Sequence, residues 1–275
     1  MARAAARRLS WPRRGLAAVV SILVVYGVLA YIVLPWLWLH YEHHPTLEGA
    51  PKTTSVADGR PGDPLNIGLV AHHPEVVRGL LAAGWQPADP ITFRSSLGIA
   101  LSVLLKRPDP DAPVSAQYLL GRRQDLAFEK AVGHSARKRH HVRLWRSDAL
   151  GLGGRPIWLG AATFDRGVGF GHRTAEITHH IAPDVDAERD TLATDLIDTK
   201  QVATIYGVSG IGPTLWGRNG EGDRYYTDGE MVVLVLEPDN VARTGPPEQL
   251  SEPPAVAVKN SVFDWLRTWL RAFEG

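Results

Sequence analysis

Residues 139–146 read RHHVRLWR, and residues 174–181 read TAEITHHI. Each has the length and composition of a β-strand, and successive side chains of a strand point to opposite faces. In the first, His140 therefore shares a face with Val142 and Leu144, and His141 shares the other with Arg143 and Trp145. In the second, His179 goes with Ala175, Ile177 and Ile181, whereas His180 goes with Thr174, Glu176 and Thr178. Paired in one sheet, the two strands would turn His140 and His179 to the core. They would collect His141, Arg143, Glu176, Thr178 and His180 on the polar side. A core histidine needs a hydrogen-bond partner, and Asp165 or the acids of residues 184–190 are the nearest in sequence.

Outward from this pair, Val114–Leu120, Pro156–Phe164, Val202–Val208 and Met231–Glu237 also read as strands, the last buried on both faces. Helices are expected at Pro74–Ala83, Thr92–Lys106 and Asp184–Ile197, the third with acids in its first turn. The order of elements implies α+β or mixed α/β: a mixed or antiparallel sheet with a few packing helices.

The N-terminal part is of another kind. Leu16–Leu39, LAAVVSILVVYGVLAYIVLPWLWL, has no charged residue. As a helix its 24 residues would span about 36 Å, more than a hydrocarbon core of about 30 Å. Residues 1–15 carry five arginines and no acid, which leaves 25 basic against 29 acidic residues in the remainder. The positive-inside rule then keeps the N-terminus cytoplasmic and exports the chain beyond the helix, with Trp36 and Trp38 near the membrane–water boundary. A signal-peptide site at Val28-Leu29-Ala30 is the weaker reading, because apolar sequence continues to Leu39. The expected layout is a basic tail (1–15), a transmembrane anchor (16–39, with Leu16, Trp36, Trp38 and Leu39 in it) and a linker (40–64). Beyond them come an extracytoplasmic domain (65–237), a proline-rich tether (238–259) and an amphipathic helix (260–275) capped by Ser261. That last helix has two expected placements, docked on the domain or lying in the membrane interface.

The chain lacks cysteine, which excludes disulfides, thiolate metal sites and cysteine nucleophiles. A mildly acidic body argues against nucleic acid as a partner. Eight of the eleven histidines form four adjacent pairs. The candidates for acid–base work are His141, His180, Glu176, Asp184 and Asp186. His141, His180 and Asp184 are candidate metal ligands, and Arg143, Arg122, Arg123, Asp125 and Asp165 are candidate ligand-binding residues. There is no HExxH and no phosphate-loop or GxSxG pattern, and no particular cofactor is indicated. Asp184, Asp186 and Glu188 equally suit the electrostatics of a helix start.

The stretches FRSSLGIALSVLL, GRRQDLAFEKA, RHHVRLWR, IWLGAATFD, THHIAPDVDAERD and GVSGIGP resemble the LssY C-terminal-like domain family. The resemblance implies a bacterial membrane-associated domain of unassigned activity. In some relatives the domain follows a multi-pass lipid-phosphatase module. This sequence has one membrane segment and no PSGH-like motif, so phosphatase activity does not carry over. Two functions are expected from these readings. The first is an anchored cell-envelope module on the periplasmic side of a bacterial inner membrane, binding a lipid, glycan or protein partner. The second is a metal-dependent or His/Asp acid–base hydrolase.

Overall fold

The apolar N-terminal run is helical: α1 (Trp11–Val28), a π-helical turn at Leu29–Val33, and α2 (Leu34–Tyr41). The wide turn sits just ahead of Pro35, which has no N–H and whose ring crowds the carbonyl of Tyr31. The computed structural model describes residues 11–41, 47, 49–88, 116–133, 135–170, 177–212, 215–238 and 242–272. Within α1 and α2, Arg13–Leu37 is long and apolar enough to cross a membrane, and Leu16 and Trp36 are exposed along it. The side chains of Trp38 and Leu39 lie outside the described ones.

Residues 43–275 form a separate unit with the expected α+β architecture. Its strands are β1 (Thr53–Ser55), β2 (Pro61–Pro64), β3 (Ile67–Val70), β4 (Gln86–Pro87), β5 (Tyr118–Leu119), β6 (Arg122–Arg123), β7 (Leu126–Val132) and β8 (Ser135–Leu150). They continue with β9 (Pro156–Phe170), β10 (Ile177–Ile181), β11 (Val202–Ser209), β12 (Leu215–Arg218), β13 (Arg224–Thr227), β14 (Glu230–Leu236) and β15 (Glu248–Gln249). The helices are α3 (His73–Ala82), α4 (Val185–Asp198) and α5 (Pro254–Ala272). The main sheet runs β15-β11-β14-β3-β9-β8-β7-β4, with β10 also paired to β9. Its pairs are antiparallel except β14–β3 and β11–β15.

Both faces of this sheet are covered. On one, Val142, Leu144, Leu69 and Leu234 pack with Val76 and Leu80 of α3 and Leu192 and Leu196 of α4. On the other, Trp145, Leu159, Val233 and Val235 pack with Leu119 and Leu47. The run MVVLVL in β14 thus feeds alternate side chains to two cores, as an apolar run without polar alternation requires. β3 and β9 approach closely at Gly160, where a Cβ would sit 2.4 Å from Ile67 Cγ2.

Several expectations change. The 40–64 linker holds β1 and β2, which join β5 and β6 in a four-stranded sheet. Proline and glycine at Pro61, Gly62 and Pro64 suggest an unpaired segment, yet short edge strands accept both residues. The 238–259 tether contains β15 and the first turns of α5. Pro254 opens that helix, where its fixed φ is favourable. Ser261 is therefore an interior residue whose hydroxyl donates to the Ala257 carbonyl, not a cap. The helix expected at Thr92–Lys106 lies outside the described residues.

Candidate functional site

β8 and β9 pair with Arg139 opposite Asp165, His141 opposite Thr163 and Arg143 opposite Ala161. Residues directly opposed in a sheet share a face, so Arg139, His141, Arg143, Thr163 and Asp165 form one polar patch at the end of an otherwise apolar surface. All five are buried. Short strands and loops bring their partners. Asp63 of β2 accepts from Arg143 Nη1 (3.0 Å) and Gln117 Nε2 (2.5 Å) on Oδ2, with Asn219 Nδ2 at 3.5 Å from Oδ1. Arg139 Nη1 donates to Glu129 Oε2 (3.2 Å), and its Nη2 lies 3.1 Å from His179 Nε2.

Much hydrogen-bonding capacity remains unspent. Arg139 Nε, Arg143 Nε, His141 Nε2 and Thr163 Oγ1 are buried without a well-directed hydrogen-bond partner among the described residues. Asp165 Oδ2 is 2.9 Å from His141 Nε2 and 3.5 Å from Arg139 Nε, close electrostatic contacts that fall short of complete hydrogen bonds. All four residues line one recess of about 60 Å³, together with Asp63, Asp165 and others. Such a volume accommodates a few waters or a small polar group. Two guanidinium groups line it with three carboxylates, those of Asp63, Asp165 and Glu221, and Glu129 pairs with Arg139 from outside the lining.

Burial lowers the His141 pKa, Arg143 and Arg139 push the same way, and Asp165 opposes them without prevailing. Burial alone would raise Asp165, but His141, His179 and Arg143 outweigh it and hold the carboxyl below its ordinary range. A buried neutral imidazole binds fewer protons than its unfolded counterpart, whose pKa is about 6.5. His141 should therefore add stability above about pH 6.5 that is lost as pH falls below it, at up to about 1.4 kcal/mol per pH unit. His73, also lowered by burial, contributes in the same direction. Comparing denaturation of the chain and its His141→Asn variant between pH 7.5 and 5 isolates the His141 share, and the variant should lose less stability.

β10 overturns one expectation. His180 pairs with Gly167, but Ile181 pairs with Asp165, leaving Arg166 unpaired in a bulge. One extra residue reverses the relation between sequence parity and face. It is His179, not His180, that joins His141 in the recess. His180 sits elsewhere, with Nδ1 2.7 Å from Asp223 Oδ1. His140 does turn to the helical layer, where its Nδ1 lies 2.6 Å from Glu188 Oε2 and its ring packs on Phe164. Glu176 lies outside the described residues.

The acids after the second histidine pair organise α4. Asp184 caps it, accepting from Ala187 N, and pairs with Arg267 and Arg271 of α5. Burial would raise its carboxyl, but Arg267 leads the groups that hold it low. Asp186 is fully buried, accepting from Thr227 Oγ1 and Asp228 N at 2.7 Å each. Burial, with Asp228 beside it, pushes its carboxyl up to about 7 against the pull of Arg189. Among the described residues no three His, Asp or Glu side chains gather as a metal site; His141, His180 and Asp184 stand in three different contacts.

Arg122 and Asp125 form an ion pair, and Asp125 also accepts from Arg146 N at 2.7 Å. This pair closes the turn ahead of β7, outside the recess, and Arg123 is exposed on β6. Of the residues that build the recess, Arg139 was legible from strand parity, being two and four residues before His141 and Arg143. Asp63, Gln117, Thr163, Asn219 and His179 carried no local signal, since they arrive from separate elements or through the bulge.

No curated protein matches the chain, and no solved structure does. The family described as LssY C-terminus matches residues 47–231. That span starts ahead of β1 and ends in β14, and it includes the strands that build the recess. By that match, the chain belongs to the LssY C-terminus family.

Proposed function

We propose that this is a single-pass, membrane-anchored module on the outer side of a bacterial inner membrane, whose recess receives one hydroxyl-bearing arm of a neutral ligand such as the sugar of an envelope glycan. The observation that carries the reading is the unspent set of Arg139 Nε, Arg143 Nε, His141 Nε2 and Thr163 Oγ1 around one small recess. Donors left unpaired in a buried site cost about 1–3 kcal/mol each, so an oxygen-bearing occupant is favoured. With three carboxylates against two guanidinium groups, a neutral hydroxyl suits the site better than an anion, because it can both accept from the arginines and donate to Asp165. The arginine-rich flank before the apolar helix supports the orientation.

The test is thermal unfolding of the full chain in nanodiscs with N-acetylglucosamine, glucose or inorganic phosphate added. A sugar should raise the transition temperature and phosphate should not. Thr163→Val should abolish the sugar effect while leaving the unliganded protein as stable or about 1 kcal/mol more stable, since an unpaired buried hydroxyl is removed. A shift with phosphate alone, or none with either sugar, sinks the reading.

A second reading rests on the 2.9 Å His141–Asp165 contact. A neutral imidazole beside a carboxylate can serve as a general base once the substrate aligns the contact. Hydrolysis of a glycoside probe that disappears in His141→Gln would favour it over binding alone.

A further inference from the structure

α5 is mounted the wrong way round for a helix of a water-soluble surface. Val256 and Phe263 are buried against the domain. On the same side Lys259 pairs with Glu230, Asn260 donates to Glu252, and Arg267 and Arg271 pair with Asp184. At 100° per residue these positions form the docked face. The opposite face carries Val258, Val262, Trp265, Leu266 and Trp269, exposed by 65%, 53%, 63%, 39% and 57%, with the exposed Ser261, Asp264 and Thr268 along one flank. Positions 258, 262, 265, 266 and 269 have the spacing of one continuous stripe. Most of the ionic side chains are thus turned to the domain, and the apolar stripe is presented outward.

We infer that this stripe is an interfacial surface that lies on the lipid bilayer entered by the chain's own N-terminal helix. Two independent features favour a bilayer over a protein partner. Trp265 and Trp269, with ring centroids 6.2 Å apart, are of the type that concentrates at the headgroup level, where one end of the indole is dry and the other wet. Beside the end of the helix, Leu270 lines an apolar groove of about 730 Å³ with Trp216, Arg218 and Arg224. Trp216 is 68% exposed, and the two arginines supply the basic rim that anionic headgroups attract. The chain also keeps the domain close to a bilayer. Residues 42–52, between α2 and β1, reach at most about 40 Å when fully extended, so contact with lipid is effectively intramolecular. The inference rests on the anchoring of the chain and is independent of what the recess binds.

The absence of cysteine makes a labelling test clean. Full chain carrying Val262→Cys, or Asp148→Cys on an exposed site of β8, is labelled with an environment-sensitive fluorophore. It is then reconstituted in vesicles of phosphatidylcholine and phosphatidylglycerol. The label at 262 should be blue-shifted, quenched by nitroxide-bearing lipids and protected from iodide, while the label at 148 shows the reverse. A Trp265→Ser/Trp269→Ser background should return the 262 label toward the behaviour of 148. Equal iodide access at both positions overturns the inference. Protection at 262 without lipid quenching, together with 262–262 cross-linking, overturns it in favour of a second copy of the chain. Resistance of the chain to alkaline extraction from membranes tests the anchor separately.

Discussion

Replacing Arg189 with leucine is expected to destabilise the domain by about 3–5 kcal/mol, the range for breaking a buried ion pair by removing one partner. Arg189 is 5% exposed. Its Nη1 and Nη2 donate to the two oxygens of Asp228 at 2.8 and 3.0 Å, and Nη1 also reaches the Glu230 carbonyl at 3.1 Å. Asp186 Oδ1 stands 3.6 Å from Nη1. Without the guanidinium, the buried Asp186 and the half-buried Asp228 would face each other with only Thr227 and backbone N–H groups to satisfy them. Chemical denaturation of the full chain in detergent, monitored by tryptophan fluorescence, gives the loss. Arg189→Lys should recover part of it, because the charge returns without the two-pronged geometry. Asp190→Ala, at the half-exposed end of the same network, should change little. A leucine variant as stable as the parent would show that this network does not hold α4 to the β13–β14 turn.

Asp63→Ala should have an effect of the same order, about 3–5 kcal/mol, and it should be reversible from solution. Asp63 is 2% exposed and accepts from Arg143 and Gln117. Truncation leaves the Arg143 guanidinium buried without its carboxylate and enlarges the recess beside it. The charge balance also changes, from two guanidinium groups against three carboxylates to two against two. Formate or acetate should then enter and restore part of the lost stability in the variant, with no comparable effect on the parent. Titrating either anion into both proteins during thermal unfolding checks this. Equal response of the two would remove Asp63 from the account of what keeps anions out of the recess.

Local patterns in the chain account for much of this molecule. An uncharged run of more than twenty residues can satisfy its backbone in a membrane only as a helix, and that holds wherever the chain is read. The alternation in residues 140–145 settles which side chains of β8 face α4, because side-chain period is a property of the strand itself. Asp184 at the start of α4 is likewise local: its carboxylate accepts from an N–H three residues on.

What only the tertiary structure decided are relations between segments distant in sequence. A bulge at Arg166 exchanges the roles of His179 and His180, and nothing in THHI itself records that a partner strand carries one residue too many. Asp63 sits among prolines and glycines that suggest a linker, yet it becomes the buried counter-charge of Arg143, 80 positions away. In α5 the helical stripe was legible as amphipathic, but amphipathicity does not say which face the domain takes. Asp184 took the face carrying Arg267 and Arg271, since their pairing with a buried carboxylate directs the ionic side inward and leaves the tryptophans outside.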